Sequence, residues 1–250
     1  MKTGVLLLTG LLMWVTGSSV VAAGFSDYLD KLKGPLSTPG ETAPGVSLTD
    51  AEMVSGLKQA LDKGTQFAVD SLGRDGGFLD NSMVKIPMPE SLSWVEKSLR
   101  TLRQDELADE FVATMNHAAE QAVPEAAAIF GDAIQQMSVE DAKGILTGPD
   151  DAATQYFRTN TEAALTGKMR PIVEQATART GVTSAYKDMT ARAGGLGSMV
   201  SSDATDLDGY VTGKTLDGLF LMIAEEEQKI RENPMARSTD LLKKVFGAYQ

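Results

Sequence analysis

His117 is the only histidine in a chain of 250 residues, and the chain has no cysteine. One imidazole excludes a multi-histidine metal centre and leaves little room for a serine–histidine triad. The lack of thiols excludes thiolate metal sites, a cysteine nucleophile and a disulfide framework. His117 and Glu120 stand one helical turn apart, and Asn116 and Glu120 share a face four residues apart. Ferritin-like di-metal bundles use the opposite order, Glu then His, and use it twice. The pair therefore reads as a surface histidine or a capped network, and the alanines beside it (Ala118, Ala119, Ala122) read as a place where helices approach closely.

Three further groups carry polar chemistry. Asp150, Asp151, Thr154, Tyr156 and Arg158 could present an acid, a hydroxyl and a guanidinium to a ligand, or simply form a helix start with an ion pair. Glu225, Glu226 and Glu227 follow an apolar stretch, and successive residues turn by about 100° in a helix, so at least one must lie near the core edge. Paired with Arg158, Arg231 or Lys214 it is structural; unpaired in a cavity it is a site carboxylate. Residues 206–211 (Asp-Leu-Asp-Gly-Tyr-Val) imitate the centre of a calcium loop. The first and twelfth ligand positions would be Ala204 and Thr215, which cannot supply the carboxylates calcium needs. A turn with an aspartate cap is the plainer reading.

No cofactor fingerprint stands out. Gly194-Gly195-Leu196-Gly197 follows a helical pattern rather than a strand, and no Gly-x-Ser-x-Gly elbow occurs. No metal and no cofactor are expected. The candidate ligand-binding residues are Asn116, Glu120, Asp151, Thr154, Tyr156, Arg158, Glu225, Glu226 and Arg231.

The elements that would position these residues read as helices. Thr49-Asp50-Ala51-Glu52 is a capping box, followed by Val54, Leu57, Leu61 and Ala68 at helical spacing. Residues 73–77 break that helix, and Pro87 and Pro89 make 78–89 extended or turning. Leu92, Val95, Leu99 and Leu102 continue the pattern, as do Leu107, Phe111, Met115 and Ala119. Pro124 restarts a helix with Ala127, Phe130, Ile134 and Met137 inward, and Ser138 with Asp141 caps the next. A helix over 161–180 carries Pro171, which predicts a kink or a split. Helices are also expected over 184–192, from Leu216 to about Glu232, and at the end with Leu241, Leu242, Val245 and Phe246 inward. No strand alternation and no fixed repeat occurs. The expected fold is all-α, a single-domain multi-helix bundle over 47–250 with a flexible N-terminal segment.

That N-terminal segment has two parts. Residues 1–24 read as a signal peptide: Lys2, an apolar run from Val5 to Val15, then small residues with cleavage near Ala23 or Gly24. The run is too short to span a bilayer, which needs about 20 apolar residues. Residues 25–46 read as a short amphipathic helix (Phe25, Tyr28, Leu29, Leu32) and a Pro/Gly-rich tether. Without Lys2, 22 basic residues face 34 acidic ones, which disfavours nucleic acid and anionic lipid surfaces. Export without disulfides predicts a soluble periplasmic protein.

The segments LTDAEMVSGLKQALDKGTQFAV, VKIPMPESL, MNHAAEQAVPEAAAIFGDAIQQMSVEDAKGILTGPDDAATQYFR, DLDGYVTGKTLDGLFLMIAEEEQKIRENP and STDLLKKVFG carry a resemblance over nearly all of 47–247. They resemble the bacterial domain-of-unknown-function family 4197. The resemblance implies an exported, mostly helical envelope protein and implies no activity.

The residues themselves support three expectations. The first is a non-catalytic periplasmic protein holding a lipid or other apolar or amphipathic molecule between helices. The second is an enzyme or metal protein built on buried carboxylates (Glu120, Asp132, Glu225, Glu226) with Arg158 or Arg231. The third is a protein–protein adaptor of the envelope, marked by exposed apolar surface without an enclosed cavity.

Overall fold

A computed structural model describes residues 49–179, 206–232 and residues 243, 245 and 247. The expected signal peptide, the 25–46 segment, the 184–192 helix, the glycine-rich run at 194–197 and most of the last helix lie outside the described residues. Of that last helix, Val245 is helical and buried.

Helix α1, Asp50–Leu72, starts at the capping box read from the sequence: Thr49 Oγ1 accepts from Glu52 N at 3.2 Å, and Glu52 accepts from Thr49 N at 3.0 Å. It stops at Gly73. A turning segment over 73–89 leads to a 3₁₀ turn, Glu90–Leu92, then α2 (Ser93–Thr101) and α3 (Asp105–Ala122). Pro124 lies in a second 3₁₀ turn, Val123–Glu125, which opens α4, Ala126–Gln136. Helix α5, Val139–Thr147, has the expected Ser138 capping box. The Ser138 backbone N–H, and then its hydroxyl, hold the Asp141 carboxyl below its ordinary value. Helices α6 (Ala152–Arg179) and α7 (Leu207–Glu232) complete the described chain, which contains no strand.

Helix α6 packs against α3, α4, α5 and α7, and α1 packs against α4, α5 and α7. The fold is therefore helices on helices around α6, as the absence of strand alternation requires. Phe130 of α4 meets Phe157 of α6 edge-on with ring centres 5.1 Å apart, and Phe220 of α7 edge-on at 6.3 Å. All three rings are buried. Fully buried alanines on α3 (Ala108, Ala118, Ala119, Ala122) let its neighbours come close, as the composition of that stretch predicts.

Three local expectations are corrected. Pro171 does not split its helix: α6 runs unbroken through it. Pro171 and Gly167, the residue one turn earlier, are both exposed, so the carbonyl that loses its donor meets water. Leu165, Met169 and Val173 hold the helix from the buried side. Leu102 and Leu107, expected on apolar stripes, are exposed at the α2–α3 turn, as is Ala127 on α4. The 206–211 segment is no separate turn ahead of a helix at Leu216. Asp206 caps α7 directly, its carboxylate accepting from Gly209 N at 2.9 Å.

One glycine explains how the 73–89 segment reaches α7. A Cβ on Gly218 would lie 2.8 Å from the Phe78 ring and 3.2 Å from Val84 Cβ. Gly218→Val should lower stability by about 1–3 kcal/mol through overpacking. Gly131→Ala, where a Cβ meets nothing within 4 Å, should raise it by up to about 1 kcal/mol through helix propensity. Urea unfolding midpoints of the two variants check both signs.

Candidate functional site

The expected site residues fall into two buried fastenings and a scatter of surface pairs. The first fastening lies on α3. Glu120 is buried, and its Oε1 accepts from Phe78 N at 3.0 Å and Leu79 N at 3.1 Å. Its Oε2 lies 2.7 Å from Nδ1 of His117, whose side chain is half exposed. One turn earlier, fully buried Asn116 accepts from Ile86 N at 2.8 Å and donates to Ile86 O at 2.9 Å and Val112 O at 2.7 Å. Its acceptor and both of its donors are engaged. Asn116 and Glu120 thus hold the helix-free 78–86 stretch against α3, supplying the partners its buried backbone groups must find. His117 belongs to a capped network, the plainer of its two readings.

The second fastening joins α7 to the start of α6. Glu227 is buried and accepts from the backbone N–H groups of Ala153 (3.0 Å) and Thr154 (2.9 Å) and from the Thr154 hydroxyl (2.9 Å). Those two amides belong to the first turn of α6, where N–H groups have no partner inside the helix. A carboxylate from another helix caps them and meets the positive end of the helix dipole. Arg231 completes the group, donating to Glu227 through Nε (3.1 Å) and Nη2 (2.8 Å) and to Ile145 O (2.8 Å).

Of the acid triplet, one member is buried and pairs with Arg231, as expected, but it is not one of the two named as candidates. Glu225 and Glu226 are half-buried at the edge of α7, and Glu226 pairs with Lys229. The inward carboxylate is Glu227, which was not among the candidate residues. The sequence did hold the signal: Leu216, Phe220, Ile223 and Glu227 succeed one another at spacings of four, three and four, and all are buried.

The remaining candidates are not gathered into one place. Arg158 stacks over the Phe220 ring with its guanidinium carbon 4.5 Å from the centroid, and stands 3.8 Å from Glu162 and from Asp217. Tyr156 donates to Ala133 O at 3.0 Å, and burial, with Asp141 nearby, pushes its hydroxyl up from the ordinary value. Asp151 is exposed and accepts from Gln155. Asp132, expected among the buried acids, is exposed. Asp206 takes Arg170 at 2.9 Å, and Asp208 accepts from Thr177 at 2.7 Å, so the calcium-like acids serve helix ends. Among the described residues, no three His, Cys, Asp or Glu side chains stand where they could share a metal ion.

Two kinds of empty space remain. Between α1, α5, α6 and α7, bordered by Leu57, Phe157, Ile223 and Glu227, lies a pocket of about 30 Å³. That is room for about one water molecule. Between α1 and α4 runs an open groove of about 770 Å³. Its floor includes Val54, Ile134 and Val139, and its rim includes Asp50, Lys58 and Asp62. Lys58 Nζ donates across it to Gln135 O at 2.9 Å, and Asp50 pairs with Lys143 at 3.0 Å. Sequence reasoning missed this groove, since it exists only where α1 and α4 meet. A helix-interior glycine, Gly131, was its one local trace.

An all-helical protein whose buried polar groups fasten its own helices is the class these observations define. The chain belongs to the family described as protein of unknown function, DUF4197, whose model matches residues 47–247. No curated protein and no solved structure matches the chain. No helix among the described residues is long and apolar enough to cross a membrane.

Glu227→Gln should cost about 1–3 kcal/mol, because the amide keeps the shape but loses the charge that the α6 amides and Arg231 donate to. Glu225→Gln, at a half-exposed position, should stay within about 0.5 kcal/mol of the parent. Urea denaturation followed by circular dichroism separates the two.

Proposed function

We propose that this is a non-catalytic binding protein of the bacterial periplasm, which takes an apolar or amphipathic ligand into the open groove between α1 and α4. The groove carries the reading. It is an open trough of about 770 Å³ rather than an enclosed cavity, so a ligand would lie along it with one side in water. Valine and isoleucine side chains in its floor offer apolar contact, and charged residues on its rim keep one side of a ligand wet. A second depression of about 760 Å³, bordered by Asp80, Lys85, Arg100 and Asp109, is walled by charge and suits such a ligand less well.

The carboxylate-enzyme alternative draws less support. Glu120 and Glu227 already accept from two backbone amides each and from His117 or Arg231. A proton-transfer or metal-binding role would take these carboxylates away from the segments they hold. The adaptor alternative is compatible with the same groove, with a protein segment as the ligand. The periplasmic setting rests on the export-signal pattern of 1–24 and on an acidic chain without cysteine.

Gly131 supplies the test, since it borders the groove on α4 and has open space where a Cβ would stand. Gly131→Trp should fill the groove without disturbing the core. The apolar fluorophore N-phenyl-1-naphthylamine should bind the parent and lose affinity by about tenfold or more in the variant, roughly 1.4 kcal/mol, with the melting temperature no lower than the parent's. Equal binding by parent and variant would count against the groove.

A further inference from the structure

We infer that the depression between the 79–88 stretch and helices α2 and α3 binds a small zwitterion with an apolar side chain, its carboxylate on Lys85 and its ammonium on Asp80. A free amino acid and a short peptide share that chemistry. This site is separate from the α1–α4 groove and does not depend on it.

The wall that carries both charges is fixed, although it belongs to no helix. Glu120 takes the backbone N–H groups of Phe78 and Leu79, just before Asp80. Asn116 bonds both backbone groups of Ile86, just after Lys85. The Tyr210 hydroxyl then donates to Pro87 O at 3.1 Å. Asp80 is steered further by Gly76, which has a φ of +75°. A Cβ at Gly76 would collide with the Asp80 carboxylate, and the Asp80 N–H donates to Gly76 O at 3.1 Å. Asp80 and Lys85 therefore stand between two pins, on backbone that loses little freedom when a ligand arrives.

Charge decides the ligand. Of the charged residues bordering the depression, Glu96, Arg100 and Asp109 hold one another: Arg100 Nη2 lies 2.9 Å from Glu96 and 3.1 Å from Asp109. Asp80 and Lys85 are left over. Neither side chain has a hydrogen bond or ion pair to a described residue, and the two do not pair with each other. Opposite charges in one concavity, kept apart on a pinned backbone, each still need a counter-charge. A simple anion meets Lys85 but also the Asp80 carboxylate, and a simple cation meets the reverse; a zwitterion answers both. Leu79, Met88 and Val112 border the same space and are only half-buried. They offer contact to an apolar side chain, which hydrophobic burial then favours.

Saturation-transfer NMR titrations of the full-length protein with L-leucine and L-leucyl-L-leucine test this. At least one of them should bind, and the tighter one tells whether the free amino acid or the peptide is preferred. N-acetyl-leucine lacks the ammonium and leucinamide lacks the carboxylate; each should bind about tenfold more weakly than leucine. Lys85→Met should weaken leucine about tenfold and leave leucinamide unchanged. Asp80→Asn should weaken leucine similarly and leave N-acetyl-leucine unchanged. Both side chains are exposed, so both variants should melt with the parent. Gly131→Trp, on the other groove, should leave leucine binding as it is. A protein that binds none of these compounds overturns the proposal. So does equal binding of leucine and its two blocked forms, or leucine binding that is indifferent to Lys85→Met and Asp80→Asn.

Discussion

A buried carboxylate must find hydrogen-bond donors or lose its charge, and this fold meets that demand twice in the same way. Glu120 and Glu227 each sit on one helix and each accept from two consecutive backbone amides far away in sequence. Each also has one cation-capable neighbour one turn away on its own helix, His117 or Arg231. The acids are satisfied and so are amides that would otherwise be buried without partners. Remove either acid and the cost falls on both sides of the contact. The 78–86 stretch is held internally only by isolated turn bonds, Asn81 N–H to Phe78 O and the Val84 and Lys85 N–H groups to Asn81 O, so its position against α3 depends on Glu120 and Asn116. The start of α6 depends likewise on Glu227, and α6 is the helix on which α3, α4, α5 and α7 all pack.

Apolar packing then fills the frame those contacts set. The Phe130, Phe157 and Phe220 rings meet where α4, α6 and α7 converge. Gly218 lets Phe78 lie directly on α7, which is why Glu120 can reach the Phe78 amide at all. The polar fastening and the aromatic core therefore support each other. This also explains why residues that look chemically capable in the sequence do no chemistry in this account. Their donors and acceptors are spent on the fold.

Helix starts were legible because they are local. Thr49 with Glu52 and Ser138 with Asp141 are complete devices within four residues, and both formed as read. Gly73 and Pro124 ended and restarted helices for equally local reasons. Pro171 did not bring the split, one of the two outcomes its position allowed, because the penalty of a proline depends on where the orphaned carbonyl points, and only the packed helix decides that. Leu102 and Leu107 misled because spacing defines a stripe without saying whether anything covers it. The inward glutamate was within reach: following the stripe from Leu216 through Phe220 and Ile223 leads to Glu227 rather than to Glu225 or Glu226. The groove was not within reach, since its walls are far apart in sequence and only Gly131 hinted at it.

The central claim is that Asn116, Glu120 and Glu227 are fasteners whose hydrogen bonds persist for as long as the fold does. Native-state hydrogen exchange on the intact protein measures this at the amides concerned. Phe78, Leu79 and Ile86, though outside any helix, should exchange only with global unfolding, as slowly as core amides of α6 such as Leu165, and Thr154 should match them. Exchange of those amides at the rate of the Met83 amide nearby, which is held only by the exposed Asn81 side chain at 3.1 Å, would contradict the account and return the buried polar residues to the list of groups free to act on a ligand.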